Sequence, residues 1–397
     1  MQIEYRSISE DEWPEFHQKL FSTFLEDPTE AGRERLKVRL EHDRTIAAFD
    51  MGEIVGTAGT DTFELATPGG QVAAGGLTVV SVAPTHRRRG IMTNMISHHL
   101  DDCRRRGEPV SILWAEESHI YGRFGYGPAT LAANLVIPTK RVSLSVASVG
   151  AVESITVDEA RKLLPPIYEQ SRRRPGSLSI APHLWAGYFE DPEEWREGRS
   201  AQRYAIYREG GEDTGYTTYR VKGDWTDDFP NGKVFVGDLH AVTPAAYGAL
   251  WAYLLGHDLV EELRADLRPV AEPLDLMVDD FRRIKRTTND GMWCQILDVN
   301  SALSSRRYQV EDTLVIEVPD HGVYRLEGGP EGAACRSVSD VKADITVTLD
   351  ALSACYLGET RFGQYAQTGK AQASDEVLRR ADLMFGWRER PWCPFVF

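Results

Sequence analysis

One segment constrains the fold of this chain more than any other: a β-branched stretch, then a basic turn, then a stretch with an apolar stripe. Residues 77–83 are rich in β-branched side chains and predict a buried strand. Residues 90–106 place their apolar side chains on one helical face. The turn between them carries three arginines and a glycine, Arg87–Gly90. Because backbone N–H groups and the positive helix end converge there, the segment predicts an α/β unit with an anion site. The alternative is a solvated basic surface.

Other phosphate-binding and metal-binding motifs are missing from the sequence. No GxGxxG follows a predicted strand and no GxxxxGK[ST] occurs, so dinucleotide-binding and P-loop folds have no support. No HExxH is present, and the adjacent His98 and His99 would point about 100° apart on a helix. We therefore expect no metal site.

Length, charge and cysteine usage limit the class of protein. The 397 residues correspond to about two to four domains. A formal net charge of −15 argues against nucleic acid or an anionic membrane as partner and favours a cationic substrate. The five cysteines show no CxxC spacing, which is typical of reduced thiols in a cytoplasmic protein. Because no run of about 18 apolar residues occurs, we expect no membrane span.

A weak internal repeat, offset by about 160 residues, indicates two related α/β halves. Residues 81–84 precede a helix, and the similar segment 241–244 precedes a helix over 245–255. The hairpin predicted at 46–60 is matched by a second one at 204–221. Since the second copy has no arginine turn, we expect it not to bind phosphate. Beyond about residue 285, a third α+β domain is indicated by strands at 313–318 and 345–349 and helices at 350–357 and 374–385.

Two segments carry a resemblance to a known enzyme family. Arg87 and Gly90 follow the pattern R-x-x-G-x-[GA], with Met92 at the last position, and residues 120–130 read IYGRFGYGPAT. Both segments resemble the GNAT acetyltransferase superfamily, and specifically its Eis-type (enhanced intracellular survival) branch. The resemblance covers the whole chain and implies an α/β (α+β) protein. It would have two tandem GNAT-like mixed-sheet domains, then a sterol-carrier-protein-like α+β domain.

A stretch rich in small residues at 142–155 and the region 282–290 indicate the domain limits, and the resemblance implies a co-substrate and an assembly. The domains would be 1–148, which binds acetyl-CoA, 149–286, a degenerate GNAT domain, and 287–397, the sterol-carrier-protein-like domain with a catalytic C-terminus. Acetyl-CoA would be the co-substrate, with no metal, and the assembly a homohexamer. The residues matched to acetyl-CoA binding are Val80, Ser81, Val82, Arg87, Arg88, Arg89, Gly90, Ile91, Met92 and Thr93.

The catalytic roles follow from the same resemblance. Tyr121 matches the family's general acid, and a phenol with a pKa near 10 is protonated at pH 7. The carboxylate of the last residue, Phe397, matches the general base, and the apolar end WCPFVF is expected to be buried. His119 is an alternative base or a surface histidine. Candidates for lining an amine pocket are Phe24, Glu26 and Asp27.

The leading hypothesis is an acetyl-CoA-dependent N-acetyltransferase. The acceptor would be a cationic small-molecule or peptide amine, such as an aminoglycoside or polyamine. No cysteine lies in the motifs, which favours direct attack in a ternary complex over an acyl-enzyme. Two alternatives remain open: a protein-lysine acetyltransferase, and a carrier of lipids or other hydrophobic ligands with a vestigial acetyltransferase part.

Overall fold

The computed structural model describes residues 3–144 and 149–397. In the first part of the chain, the α-helices and β-strands are β1 Glu4–Arg6, α1 Trp13–Thr23, α2 Glu30–Arg39, β2 Ile46–Asp50, β3 Glu53–Thr67, β4 Gly70–Val82, α3 Ile91–Arg106, β5 Val110–Trp114, α4 Ser118–Tyr121, β6 Gly127–Pro128 and β7 Leu131–Pro138. In the middle they are β8 Ala151–Ile155, α5 Val157–Ser171, α6 Pro182–Tyr188, β9 Arg203–Glu209, β10 Glu212–Lys222, β11 Trp225–Thr226, β12 Phe229–Pro230, β13 Gly232–Ala241, α7 Pro244–Leu255, β14 Val260–Arg268 and β15 Lys285–Asp290. In the last part they are β16 Met292–Ile296, α8 Val299–Ser304, β17 Asp312–Val318, β18 Gly322–Gly329, β19 Gly332–Ser337, β20 Ile345–Val347, α9 Leu349–Cys355, α10 Phe362–Ala366, β21 Ala371–Gln372 and α11 Asp375–Phe385.

The first sheet has the order β1-β2-β3-β4-β5-β16-β6 and opens between β4 and β5. These two strands are parallel, and their pairing ends at Leu77 opposite Leu113. β4 continues to Val82, whereas β5 ends at Trp114. The backbone groups of β4 beyond Leu77 therefore face an opening instead of a neighbouring strand, and they need another hydrogen-bonding partner.

The second sheet has the order β15-β7-β14-β13-β10-β9-β8 and repeats the plan of the first. The hairpin β9–β10 corresponds to β2–β3, and the parallel pair β13–β14 corresponds to β4–β5. The helix after β13 differs at its start, because the side chain of Thr243 accepts a hydrogen bond from the backbone N–H of Ala246 at 3.1 Å. The N-terminus of α7 is thus already capped, which agrees with the expectation that the second copy does not bind phosphate.

The two halves exchange one strand each. β7 follows the first half in sequence but pairs with β14 and β15 in the second sheet. β16 follows the second half but pairs with β5 and β6 in the first sheet. The domain limits 1–148, 149–286 and 287–397 stay a prediction, and β7 and β16 each pair with strands on the far side of one of these limits. An alternating sequence pattern identifies a strand but does not say which sheet the strand joins.

The last part of the chain packs against the first sheet. Its five-stranded sheet has the order β19-β18-β17-β20-β21. One hydrophobic cluster joins Phe63 of β3 and Val110 of β5 to Leu314 of β17, Phe385 of α11 and the terminal Phe397. The C-terminus is therefore held inside the molecule beside β4 and β5. In the part of the chain that the structure describes, no helix is long and apolar enough to cross a membrane.

A buried carboxyl group in β3 makes stability depend on pH. Asp61 has no exposed surface, and its two carboxylate oxygens have no hydrogen-bond partner among the described residues. Burial raises the pKa of Asp61 to about 7, against about 3.9 in an unfolded chain. Because the folded state binds this proton more tightly, Asp61 contributes most stability below about pH 4. That contribution is lost as the pH rises through about 7.

We expect the effect of Asp61→Asn on the free energy of unfolding, relative to wild type, to be more favourable at pH 8 than at pH 4. The difference should be up to about 3–4 kcal/mol, because the amide cannot ionise. The measurement is the thermal unfolding midpoint of variant and wild type at both pH values. Asp258→Asn, at an exposed position, is the control and should shift both midpoints little. An Asp61→Asn effect that is the same at pH 4 and pH 8 would contradict the prediction.

Candidate active site

A cleft of about 1330 Å³ lies at the opening between β4 and β5. The end of β4, the arginine turn and the start of α3 form one wall, and α4 and the segment after α1 close the cleft on other sides. The predicted site residues that line it are Phe24, Glu26, Val80, Ser81, Val82, Arg87, Arg88, Gly90, Ile91, Met92, Thr93, Tyr121 and Phe397. The structure therefore brings the predicted donor, acid and base residues to one cavity.

The arginine turn presents unpaired backbone N–H groups to this cleft. Gly90 is the residue before α3 and has a φ of 79°, and the helix has no side-chain cap. An added Cβ at Gly90 would have no atom within 4 Å, so the turn is open to a ligand. Arg88 also adopts a left-handed conformation, with a φ of 63°. The 16-residue helix α3 has no side-chain cap, so its first N–H groups are available as hydrogen-bond donors. Together with the positive charges of Arg87 and Arg88, these donors can bind a pyrophosphate.

The third arginine of the turn is placed differently. Nη1 of Arg89 lies 3.2 Å from Oδ2 of Asp50, and Nε2 of His86 lies 3.1 Å from the same oxygen. Arg89 is not among the residues that line the cleft. The sequence assigned all three arginines to the donor site, and the structure places only Arg87 and Arg88 there. The ion pair depends on a residue of the β2–β3 hairpin, which the turn sequence alone does not indicate.

The end of β4 offers backbone rather than side-chain groups to the cleft. The hydroxyl of Ser81 is 2.8 Å from Oγ1 of Thr57 and is buried. Val79 has a φ of 49°, a strained value for a β-branched residue, at a shift in the register between β3 and β4. This bulge turns the last residues of β4 away from a regular ladder. Because β5 does not pair with β4 beyond Leu77, the edge of β4 at Val80–Val82 that faces away from β3 is open to the cleft.

Tyr121 ends α4 and is a mostly buried phenol in the wall of the cleft. Its side chain is 8% exposed, and its hydroxyl makes no hydrogen bond to a described residue. Burial, together with the negative charges of Glu116 and Glu117, raises the pKa of Tyr121 to about 12. The phenol is therefore protonated across the neutral range and available as a proton donor.

The terminal residue is held by packing upstream of it. The indole Nε1 of Trp392 donates to the carbonyl of Leu267 at 2.6 Å, and its backbone N–H donates to the carbonyl of Pro175 at 2.7 Å. The ring of Phe397 lies 4.8 Å from that of Phe63, centroid to centroid, and is 6% exposed. These contacts fix the last backbone segment and bury Trp392 and Phe397, as the apolar end predicted, whereas Val396 is exposed.

A second cavity also borders the C-terminus, and we call it the aromatic cavity. It has a volume of about 130 Å³ and is lined by Arg35, Arg39, Tyr168, Ile180, His183, Leu184, Trp185, Gly187, Tyr188, Tyr216, Asp238, His240, Phe395, Val396 and Phe397. Val396 and Phe397 line both this cavity and the cleft. The C-terminus therefore borders both spaces. Of the residues that line the aromatic cavity, the sequence pointed only to those of the C-terminal segment.

The other predicted residues have mixed positions. Phe24 and Glu26 line the cleft, whereas Asp27 is exposed and lines neither cavity. His119 lines the cleft with 78% of its side chain exposed, and Nδ1 lies 3.7 Å from Oε2 of Glu117. Among the described residues, no group of three His, Cys, Asp or Glu side chains is placed to hold a metal ion.

The fold and the cleft define a GNAT-type N-acetyltransferase. Family models described as an acetyltransferase (GNAT) domain match residues 4–129 and 176–296, and a sterol carrier protein domain matches residues 299–394. This confirms the predicted fold class of two GNAT domains followed by a sterol-carrier-protein-like domain. The GNAT fold implies acetyl-CoA as the acetyl donor.

The chain belongs to the Eis-type family of N-acetyltransferases. It is 32% identical to the N-acetyltransferase Eis of Mycobacterium bovis, over 97% of each chain. An uncharacterized N-acetyltransferase of Streptomyces coelicolor is 36% identical over the full length of both chains. The crystal structure of Eis1 from Mycobacterium abscessus is 29% identical and superposes over the full length of both chains with a TM-score of 0.86. The protein is therefore an acetyltransferase, as the sequence predicted.

Proposed function

We propose that the protein transfers the acetyl group of acetyl-CoA to an amine that arrives as a cation, by direct attack in a ternary complex. The observation that carries the proposal is that Tyr121 and the terminal Phe397 line the same cleft as the uncapped N-terminus of α3. An acid, a base and a phosphate site then border one space. These are the groups that acyl transfer from a thioester to an amine requires.

The donor would be held mainly by backbone groups. The N–H groups of Ile91, Met92 and Thr93 and the side chains of Arg87 and Arg88 would bind its phosphates. The main chain of Val80–Val82 would bind the amide-containing arm. Bound acetyl-CoA supplies the thioester carbonyl that is attacked.

The chain's own groups would move two protons. The terminal carboxylate of Phe397 accepts a proton from the attacking ammonium, which leaves a neutral amine with a free electron pair. As the new N–C bond forms and the C–S bond breaks, the hydroxyl of Tyr121 donates its proton to the departing sulfur. The nitrogen of the new amide then loses its second proton to the phenolate of Tyr121, which restores the acid, and the carboxyl group of Phe397 releases its proton to solvent. His119 is a weaker candidate for the base because most of its side chain is exposed.

The acceptors to test first are aminoglycosides and polyamines, the classes that the resemblance implies, with lysine peptides as the protein-like alternative. Glu26, Glu116 and Glu117 line the cleft and favour the entry of cations. The test is thiol release from acetyl-CoA by untagged protein that ends at Phe397. Turnover with any of these amines supports the proposal. Acetyl-CoA binding without turnover of any amine contradicts it, and failure to bind acetyl-CoA favours the carrier alternative. The homohexamer stays a prediction, and light scattering of the purified protein would test it by measuring the mass of the assembly.

The arginine turn gives a prediction with a matched control. We expect Arg87→Gln or Arg88→Gln to raise the KM for acetyl-CoA about fivefold each, with little change in kcat, because an exposed phosphate contact is worth about 1 kcal/mol. Arg89→Gln in the same turn should leave that KM unchanged, since Arg89 pairs with Asp50. Steady-state kinetics with varied acetyl-CoA measure all three. Equal effects at the three positions would argue against the assignment.

A further inference from the structure

The ring of the terminal residue Phe397 packs against a glycine of β4. A Cβ added at Gly76 would lie 2.5 Å from Cε2 of Phe63 and 2.8 Å from Cε2 of Phe397. Real Cβ atoms essentially never come within 3.0 Å of such an atom. The two rings lie 4.8 Å apart, centroid to centroid. A residue without a side chain therefore leaves the room that this pair of rings occupies on the sheet.

The backbone of Gly76 is held on both sides and cannot easily move to make room for a larger residue. Gly76 is paired with Asp61 of β3 and with Ile112 of β5. It directly precedes Leu77, the last residue of β4 that pairs with β5 before the cleft opens. The ring of Phe397 is thus seated where the opening begins, and Phe397 itself lines the cleft.

The end of the chain reaches this seat in an alternating arrangement. The rings of Phe395 and Phe397 lie 6.3 Å and 4.8 Å from that of Phe63, whereas Val396 between them is 54% exposed. The ring of Phe397 and the terminal carboxylate are attached to the same Cα. A displacement of the ring therefore also displaces the carboxylate.

We infer that Gly76 is a positioning residue for acetyl transfer. The absence of a side chain at Gly76 lets the rings of Phe63 and Phe397 pack on β4, and this packing places the terminal carboxylate where it can accept the proton of the acceptor amine. The inference rests on the proposed function, because it explains how the base of that function is held. A catalytic group that is misplaced by about 1 Å can lower the rate about 100-fold.

The first test is Gly76→Ala. We expect kcat to fall by about 10- to 100-fold, because the added methyl group displaces the two rings. The KM for acetyl-CoA should stay within about twofold, since the arginine turn and α3 are not touched. Steady-state thiol release with varied acetyl-CoA measures both constants.

Gly328→Ala is the matched control. Gly328 is also a strand glycine paired on both sides, and an added Cβ would lie 2.5 Å from Cδ2 of Tyr308. It belongs to β18 of the last sheet, which does not line the cleft. The control should lower the thermal unfolding midpoint, as Gly76→Ala does, and leave kcat of the folded protein unchanged.

Two further variants change the rings instead of the strand. Phe63→Leu removes the ring atom that the new methyl group would meet first. It should raise kcat in the Gly76→Ala protein and lower kcat in wild type, where it only weakens the support of Phe397. Phe397→Trp keeps the terminal carboxylate but enlarges the ring. It should lower kcat without changing β4, and it decides the matter if Gly76→Ala does not fold.

Three results would overturn the inference: wild-type kcat in Gly76→Ala or Phe397→Trp, a KM for acetyl-CoA that rises as much as kcat falls, or a loss of kcat from Phe63→Leu in both backgrounds. Extension of the chain past Phe397 separates this inference from the proposed function. If extension abolishes kcat while Gly76→Ala retains it, the carboxylate stays the base and Gly76 does not position it. If the extended protein keeps full kcat, or if no amine releases thiol, the proposed function fails and the inference fails with it.

Discussion

Adding one residue after Phe397 is expected to lower kcat by at least about 100-fold, the usual contribution of a general base. The new residue turns the carboxylate of Phe397 into a neutral peptide group and moves the charge one residue further along the chain. Phe397 is only 6% exposed and its ring packs on Phe63. The side chain at position 397 therefore has little freedom to retreat and return the new carboxylate to the old position.

Two comparisons separate loss of the base from loss of the fold. The same residue added at the N-terminus should leave kcat unchanged. Phe397→Leu keeps the carboxylate and removes part of the ring contact, so it should cost far less kcat than the extension. Thermal unfolding and acetyl-CoA binding of the extended protein should remain close to those of wild type, because Trp392 holds the segment upstream. A C-terminally extended protein with full kcat would rule out the carboxylate as base.

The parts of the fold that the sequence predicted are those encoded in short stretches. The strand, turn and helix around Arg87–Gly90 are contiguous, so one window contains the β-branched run, the glycine and the apolar stripe. The burial of the C-terminus was predictable because aromatic side chains such as Trp392 have few stable positions outside a core. Tyr121 was identified through a resemblance, since one tyrosine in a sequence carries no local signal of acidity.

The parts that were not predictable depend on contacts between distant segments. The exchange of β7 and β16 between the two sheets is set by tertiary pairing, and the local sequence of a strand does not say which sheet it joins. The ion pair of Arg89 with Asp50 joins two loops that lie far apart in sequence. The arginines of the aromatic cavity lie in α2, where a highly charged stretch is typical of a solvated helix.

Replacing Tyr121 by Phe is expected to lower kcat about 100-fold while the KM for acetyl-CoA stays within about twofold, because only the transfer of a proton to the leaving sulfur is lost. Tyr126→Phe is the matched control. Tyr126 is fully buried, and its hydroxyl is 2.6 Å from Oγ of Ser111, so the loss of that hydroxyl should reduce stability by about 1 kcal/mol with little effect on kcat.

Because burial raises the pKa of Tyr121 to about 12, ionisation of the acid should not limit wild-type kcat below about pH 11. A decline in kcat between pH 8 and pH 10 that Tyr121→Phe abolishes would contradict this environment for the phenol, and an unchanged kcat in Tyr121→Phe would remove its role as the acid.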